Sequence, residues 1–149
     1  MTLLHLRFAP NDEWHGELIA TCSHDQYSGR GGAWFNKEQI RAFAQAISVF
    51  PLDPDNPPSL AGGFWDDGAD ALKPTEVHLG IDVTPLDALG RLRITVRLAN
   101  EVWGDPKQTL ECHATIRFLG TYGDIAQFAA VLVGLVDGQS SEAEVQFST

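Results

Sequence analysis

Asn36-Lys-Glu-Gln39-Ile40-Arg-Ala-Phe43-Ala44-Gln-Ala-Ile47 and Thr121-Tyr-Gly-Asp124-Ile125-Ala-Gln-Phe128-Ala129-Ala-Val-Leu132 carry the same pattern. In each, a capping side chain (Asn36, Thr121) is followed three residues later by a polar one (Gln39, Asp124). That is the capping-box arrangement, in which the two residues satisfy each other's backbone N–H groups. Ile, Phe, Ala and then Ile or Leu recur at steps of three, one and three, which puts them on one face of a 3.6-residue helix. Strand-like sequence precedes both helices. The chain therefore reads as two β-β-β-α halves, about 1–50 and 75–138, of one α+β domain over 1–149. The expected architecture is an antiparallel sheet of about six to seven strands with both helices packed on one face.

Working outward, Leu4, Leu6 and Phe8 alternate with His5 and Arg7, the period of a strand with one buried face. A second strand is expected over Glu17–Ser23, and Ser28-Gly-Arg-Gly-Gly32 reads as the turn into a third, Ala33-Trp34-Phe35. The first helix should stop at Phe50-Pro51, because proline cannot continue it. In the second half Val77, Leu79, Ile81 and Val83 alternate with His78, Gly80 and Asp82. Asp87-Ala-Leu-Gly90 supplies a tight turn, and Leu92, Ile94, Val96 and Leu98 alternate with Arg93, Thr95 and Arg97. Trp103-Gly-Asp-Pro106 marks the next turn, after which Leu110, Cys112, Ala114, Ile116 and Phe118 alternate with Glu111, His113, Thr115 and Arg117. Ala143, Val145 and Phe147 predict a closing strand at one edge.

Residues 51–74 hold five of the eight prolines and join the halves as a connection, with room for a short strand from Ser59 to Trp65. The two helices also differ. The first has Arg41, Gln45 and Ser48 for a solvent face, whereas Ala130, Val131, Val133 and Leu135 make the second apolar nearly all round. Such a helix is expected to be buried on more than one side, either inside the monomer or in a homodimer interface.

A chain of 149 residues with 44% hydrophobic and 20% charged composition can build a core of its own and is not a disordered polymer. No apolar run approaches a bilayer span. Met1-Thr-Leu-Leu-His-Leu-Arg-Phe8 lacks the basic and apolar regions of a secretory signal, so a cytoplasmic protein is expected. Cys22 and Cys112 are far apart, without Cys-x-x-Cys spacing, and read as reduced, buried thiols. Twenty acids against ten bases give a net charge of −10, which disfavours nucleic acid and anionic membrane as partners and favours a basic protein surface.

No catalytic motif stands out. The polar face of the second-half strands displays His78, Asp82, Arg93, Arg97, Glu111, His113 and Arg117, with Arg91 nearby. A histidine with a carboxylate and arginines could act as a general base beside an anion clamp. Cross-strand charge pairing on a solvated face uses the same residues. The five histidines show no i, i+4 pair and no cluster with cysteine, and Asp66-Asp67-Gly68-Ala69-Asp70 lacks the ligand spacing of a calcium loop, so no metal or cofactor is implied. Ser28-Gly-Arg-Gly-Gly32 has no Gly-Lys-Ser/Thr and no helix directly after it, so it is not a phosphate cradle. The remaining surface signal is acidic and aromatic: Phe64, Trp65, Asp66, Asp67 and Asp70, with Trp103 beside Asp105. An aromatic anchor among acids suits recognition of a basic protein. A solvated loop with Trp65 folded over the core is the other reading.

The strand and Ile40-x-x-Phe43-Ala-x-x-Ile47 helix, the Phe64-Trp65-Asp66-Asp67-Gly68 stretch, the Gly90-Arg-Leu-Arg-Ile-Thr-Val strand and the closing Ile125-x-x-Phe128-x-x-x-Leu132 helix together resemble the WapI-like bacterial immunity proteins and their relatives. That resemblance implies a non-enzymatic antitoxin that binds and blocks a cognate toxin domain, here one with a basic surface. The alternatives are a ligand-binding protein or enzyme using the sheet-face residues, and a structural homo-oligomer built through the second helix.

Overall fold

The computed structural model describes residues 1–64, 76–102 and 111–147. They form β1 (Thr2–Pro10), β2 (His15–His24), β3 (Tyr27–Asn36), α1 (Lys37–Ile47), β4 (Ser59–Phe64), β5 (Glu76–Pro85), β6 (Leu92–Ala99), β7 (His113–Gly120), α2 (Tyr122–Val136) and β8 (Glu142–Phe147). The chain is α+β with two helices and antiparallel pairing, but the single sheet of six or seven strands is not what forms. Two four-stranded sheets form instead, in the orders β3-β2-β1-β8 and β4-β5-β6-β7.

The β-β-β-α repeat explains the division. β1–β3 and β5–β7 are the two expected meanders, each followed by its helix. The strand after each helix then crosses to the other half: β4 pairs with β5, and β8 pairs with β1. Each sheet thus consists of three strands of one half and one strand lent by the other, and each apolar face is covered by the opposite sheet and the helices.

Both helix starts are built as the sequence predicts. Asn36 Oδ1 accepts from the N–H of Glu38 at 2.8 Å while the Asn36 N–H donates to Gln39 Oε1 at 2.9 Å. In the second, the Asp124 N–H donates to Thr121 Oγ1 at 3.1 Å and the Thr121 N–H to Asp124 Oδ2 at 3.0 Å. α1 stops at Ile47, with Ser48 as its C-cap, three residues short of the Phe50–Pro51 peptide, which is cis. The shared stripes meet in the core: the Phe43 and Phe128 rings lie 6.3 Å apart edge to face, and Phe147 of β8 sits against both Phe128 and Phe118.

The glycine-rich segment departs from its expected role. Ser28–Gly32 is no turn; it lies inside β3, and the turn into that strand is at Asp25 and Gln26, where Asp25 has φ 54°. β3 runs crosswise over all four strands of the second sheet. Its inward positions are Gly29 over Ala114 and Leu98, Gly31 over Leu98, Ala99 and the carbonyl of His78, and Ala33 with Phe35 over Gly62. Small residues at every second position let one backbone lie directly on another, which is what glycine within a strand permits.

Within the monomer α2 is not buried on more than one side. Ala126, Ala130 and Val133 line an open groove of about 530 Å³ against Ala44, Ser48 and Val49 of the α1 side. Most of the bulky apolar residues of α2, Ile125, Phe128, Leu132, Leu135 and Val136, are buried on one face, and the open face carries the small side chains of Ala126 and Ala130, which contribute little area to hide. No helix among the described residues is long and apolar enough to cross a membrane.

The cysteines also differ from one another. Both are free, but Cys22 is buried in β2 while Cys112 precedes β7 and is exposed, contrary to the expectation of two buried thiols. Burial pushes the Cys22 thiol up to about 11. Because the thiolate is the reactive form, an aromatic disulfide reagent at pH 8 should modify one thiol, Cys112, in the native protein and two in denaturant. Rapid release of two equivalents without denaturant would contradict the packing of β2.

Candidate functional site

The residues expected on the polar face of the second sheet separate into two groups. Register places Asp82 and Arg117 on either side of Thr95, with Arg93 and Arg97 two residues before and after it on β6. These four charged residues share the outer face of the sheet, and Arg97 Nη2 lies 3.6 Å from Asp82 Oδ2. Gly80 sits opposite Arg97, and a Cβ there would come within 2.9 Å of the guanidinium, so the arginine rests on bare backbone. Glu111 and His113 are exposed at the far end of β7.

His78 does not join them. The β4–β5 register shifts between Gly62 and Gly63, and His78 falls in the shift. It is buried, with Nε2 2.9 Å from Glu76 Oε1 and its ring edge to face with Phe64 at 4.5 Å. The general-base arrangement of His78 with Asp82, Arg93 and His113 is therefore not assembled. His78 is a packed residue at the foot of β5, and the arginines stand on an open face. Among the described residues no group of three or more His, Cys, Asp or Glu side chains is placed to hold a metal ion.

Of the acidic aromatic stretch, only Phe64 is described, half-buried against His78. Trp65, Asp66, Asp67, Asp70 and Trp103 lie outside the described residues.

The same chemistry occurs at a place the sequence reading passed over. The β1–β2 connection is Asn11-Asp12-Glu13-Trp14. Asp12 Oδ1 accepts from the N–H groups of Trp14 at 2.7 Å and His15 at 2.8 Å, and these bonds hold its carboxyl below the usual carboxylate range. The Trp14 carbonyl accepts from the N–H of Lys37, the first residue of α1, at 2.7 Å. The Trp14 backbone is thus held from both sides while its side chain is 63% exposed. On the outer face of the first sheet Trp34 is 56% exposed and pairs in register with Glu17, two residues from His15, which faces Asn36.

Trp14, Trp34, Asp12, Glu13 and Glu17 thus occupy one corner of the first sheet. The strand period carries part of the signal: Trp34 lies between inward Ala33 and Phe35 and must point out. Trp14 precedes its strand, so alternation does not assign it. Its signal is Asp12, two residues earlier, in the position of an Asx turn.

No family model, curated protein or solved structure matches this chain.

Proposed function

We propose that this chain is a non-enzymatic binding protein whose anchor is the Trp14–Trp34 corner, and that its partner presents a basic protein surface. One observation carries the reading: an exposed tryptophan whose backbone is fixed by Asp12 and by the start of α1. A pre-organised aromatic loses little entropy on docking, which is the property of interface hot spots. Asp12, Glu13 and Glu17 around it, on a chain of net charge −10, favour fast encounter with a basic partner. The resemblance to WapI-like immunity proteins makes a cognate toxin domain, bound and blocked in the cytoplasm, the first partner to test.

The test is to measure binding of a toxin domain encoded beside the gene to the wild-type chain and to Trp14→Ala/Trp34→Ala. Two hot-spot losses of about 2 kcal/mol each weaken binding by roughly three orders of magnitude. The melting temperature should stay near wild type, because both side chains are exposed. Unchanged affinity overturns this siting. A loss confined to Phe64→Ala, Trp65→Ala, Asp66→Ala and Asp67→Ala would move the interface to the connection between the halves.

A further inference from the structure

The outer face of the second sheet has the opposite character from the rest of the chain. Three of the ten bases, Arg93, Arg97 and Arg117, surround Thr95 there, with Asp82 as the one acid in register beside it. Asp82 comes within ion-pair distance of Arg97 alone among the described residues. Among the described residues, Arg93 and Arg117 have no acid within ion-pair distance. Arg97 Nε is buried on the strand without a hydrogen-bond partner.

Residues on one face of a strand repeat about every 6.8 Å and neighbouring strands lie about 4.8 Å apart. Arg117, opposite Thr95, is therefore roughly 8 Å along the diagonal from each of the other two arginines. Along the strand direction Arg93, Arg117 and Arg97 follow one another at steps of two residues, about 6.8 Å, the spacing of carboxylates on alternate residues of an extended segment, each of which a planar guanidinium can take.

We infer that this face is a docking surface for an acidic protein segment in extended conformation, with its carboxylates on alternate residues received by Arg93, Arg117 and Arg97. A single-stranded nucleic acid fits less well. Among the described residues, the register neighbours of the arginines are Gly80, Thr84, Thr95, Thr115 and Leu119, none of them an aromatic on which a base could stack. The charge of −10 does not forbid the contact, because fields from distant acids fall off within a Debye length of about 8 Å at physiological salt.

This surface is separate from the Trp14–Trp34 corner, and each is tested by its own variants. The probe is a fluorescein-labelled peptide, (Glu-Thr)5, titrated with the full chain at 50 and 200 mM NaCl, beside a labelled ten-nucleotide thymidine oligomer. Saturable binding of the peptide is expected, weakened at least tenfold in Arg93→Gln/Arg97→Gln/Arg117→Gln and tightened in Asp82→Asn, with a smaller salt slope in the triple variant. Unfolding curves of both variants are compared with wild type, and Trp14→Ala/Trp34→Ala should bind the peptide as wild type does. No peptide binding, equal binding by the triple variant, or tighter binding of the thymidine oligomer than of the peptide overturns the proposal.

Discussion

Gly31→Ala should destabilise the protein by about 3 kcal/mol or more, the upper end of overpacking effects. A methyl group at that position would lie 2.1 Å from the carbonyl oxygen of His78 and 3.0 Å from the backbone nitrogen of Ala99. Neither neighbour is a side chain that could swing aside. Relief requires the two sheets to separate where β3 crosses β5 and β6. In a domain of this size the loss should lower the melting temperature by roughly 6–12 °C. Gly90→Ala provides the contrast: Gly90 has φ +86° but nothing within 4 Å of a Cβ, so its cost is conformational, about 1–2 kcal/mol. Urea unfolding of both variants checks the ranking. A Gly31→Ala protein as stable as wild type would mean that β3 does not lie on the second sheet as described.

Phe128→Ala should cost about 3–5 kcal/mol. Its ring is fully buried and stands between Phe43 of α1 and Phe147 of β8, so one truncation removes the contact that joins both helices to the last strand. The surroundings cannot close over the gap easily, because the start of α2 is tied to the segment after α1, where the Leu52 N–H donates to the Tyr122 hydroxyl at 3.1 Å and the Phe50 ring packs on Tyr122. Arg41 Nη2 also bonds Asp137 Oδ1 at 2.8 Å, tying the end of α2 to α1. Chemical denaturation should show a lower midpoint. A loss below about 1.5 kcal/mol would contradict the docking of α2 over the sheets.

Local features were legible in the sequence because they depend on neighbours a few residues away. The two capping boxes, the Ile40-Phe43-Ala44-Ile47 stripe, the Asp87–Gly90 turn and the alternation of Leu92 to Leu98 are all of this kind. The two-sheet arrangement was not legible, because β4 and β8 choose their partners over long distances and their alternation is the same on either sheet. Glycine misled most clearly in β3. Its spacing at 29 and 31 is the strand period, yet glycine is also the commonest sign of a turn.

The candidate surfaces follow the same division. Asp82, Arg93, Arg97 and Arg117 share a face because strand period assigns them there, whereas His78 escapes through a one-residue register shift that no pattern announces. The Trp14 backbone is held by its own N–H donating to Asp12 Oδ1, a local turn, and by the Lys37 N–H donating to its carbonyl, a contact that only the folded chain brings together.

The exchange of β4 and β8 also sets an order of events during synthesis. β1 (Thr2–Pro10) leaves the ribosome well before β8 (Glu142–Phe147), its neighbour on the side away from β2. At about 5–20 residues per second, one edge of β1 stays open for several seconds or more. An open edge is a template for pairing with another nascent chain. Productive folding of the first sheet is therefore tied to completion of the second half, and growth temperature and translation speed should govern soluble yield more strongly than they would for two independent meanders.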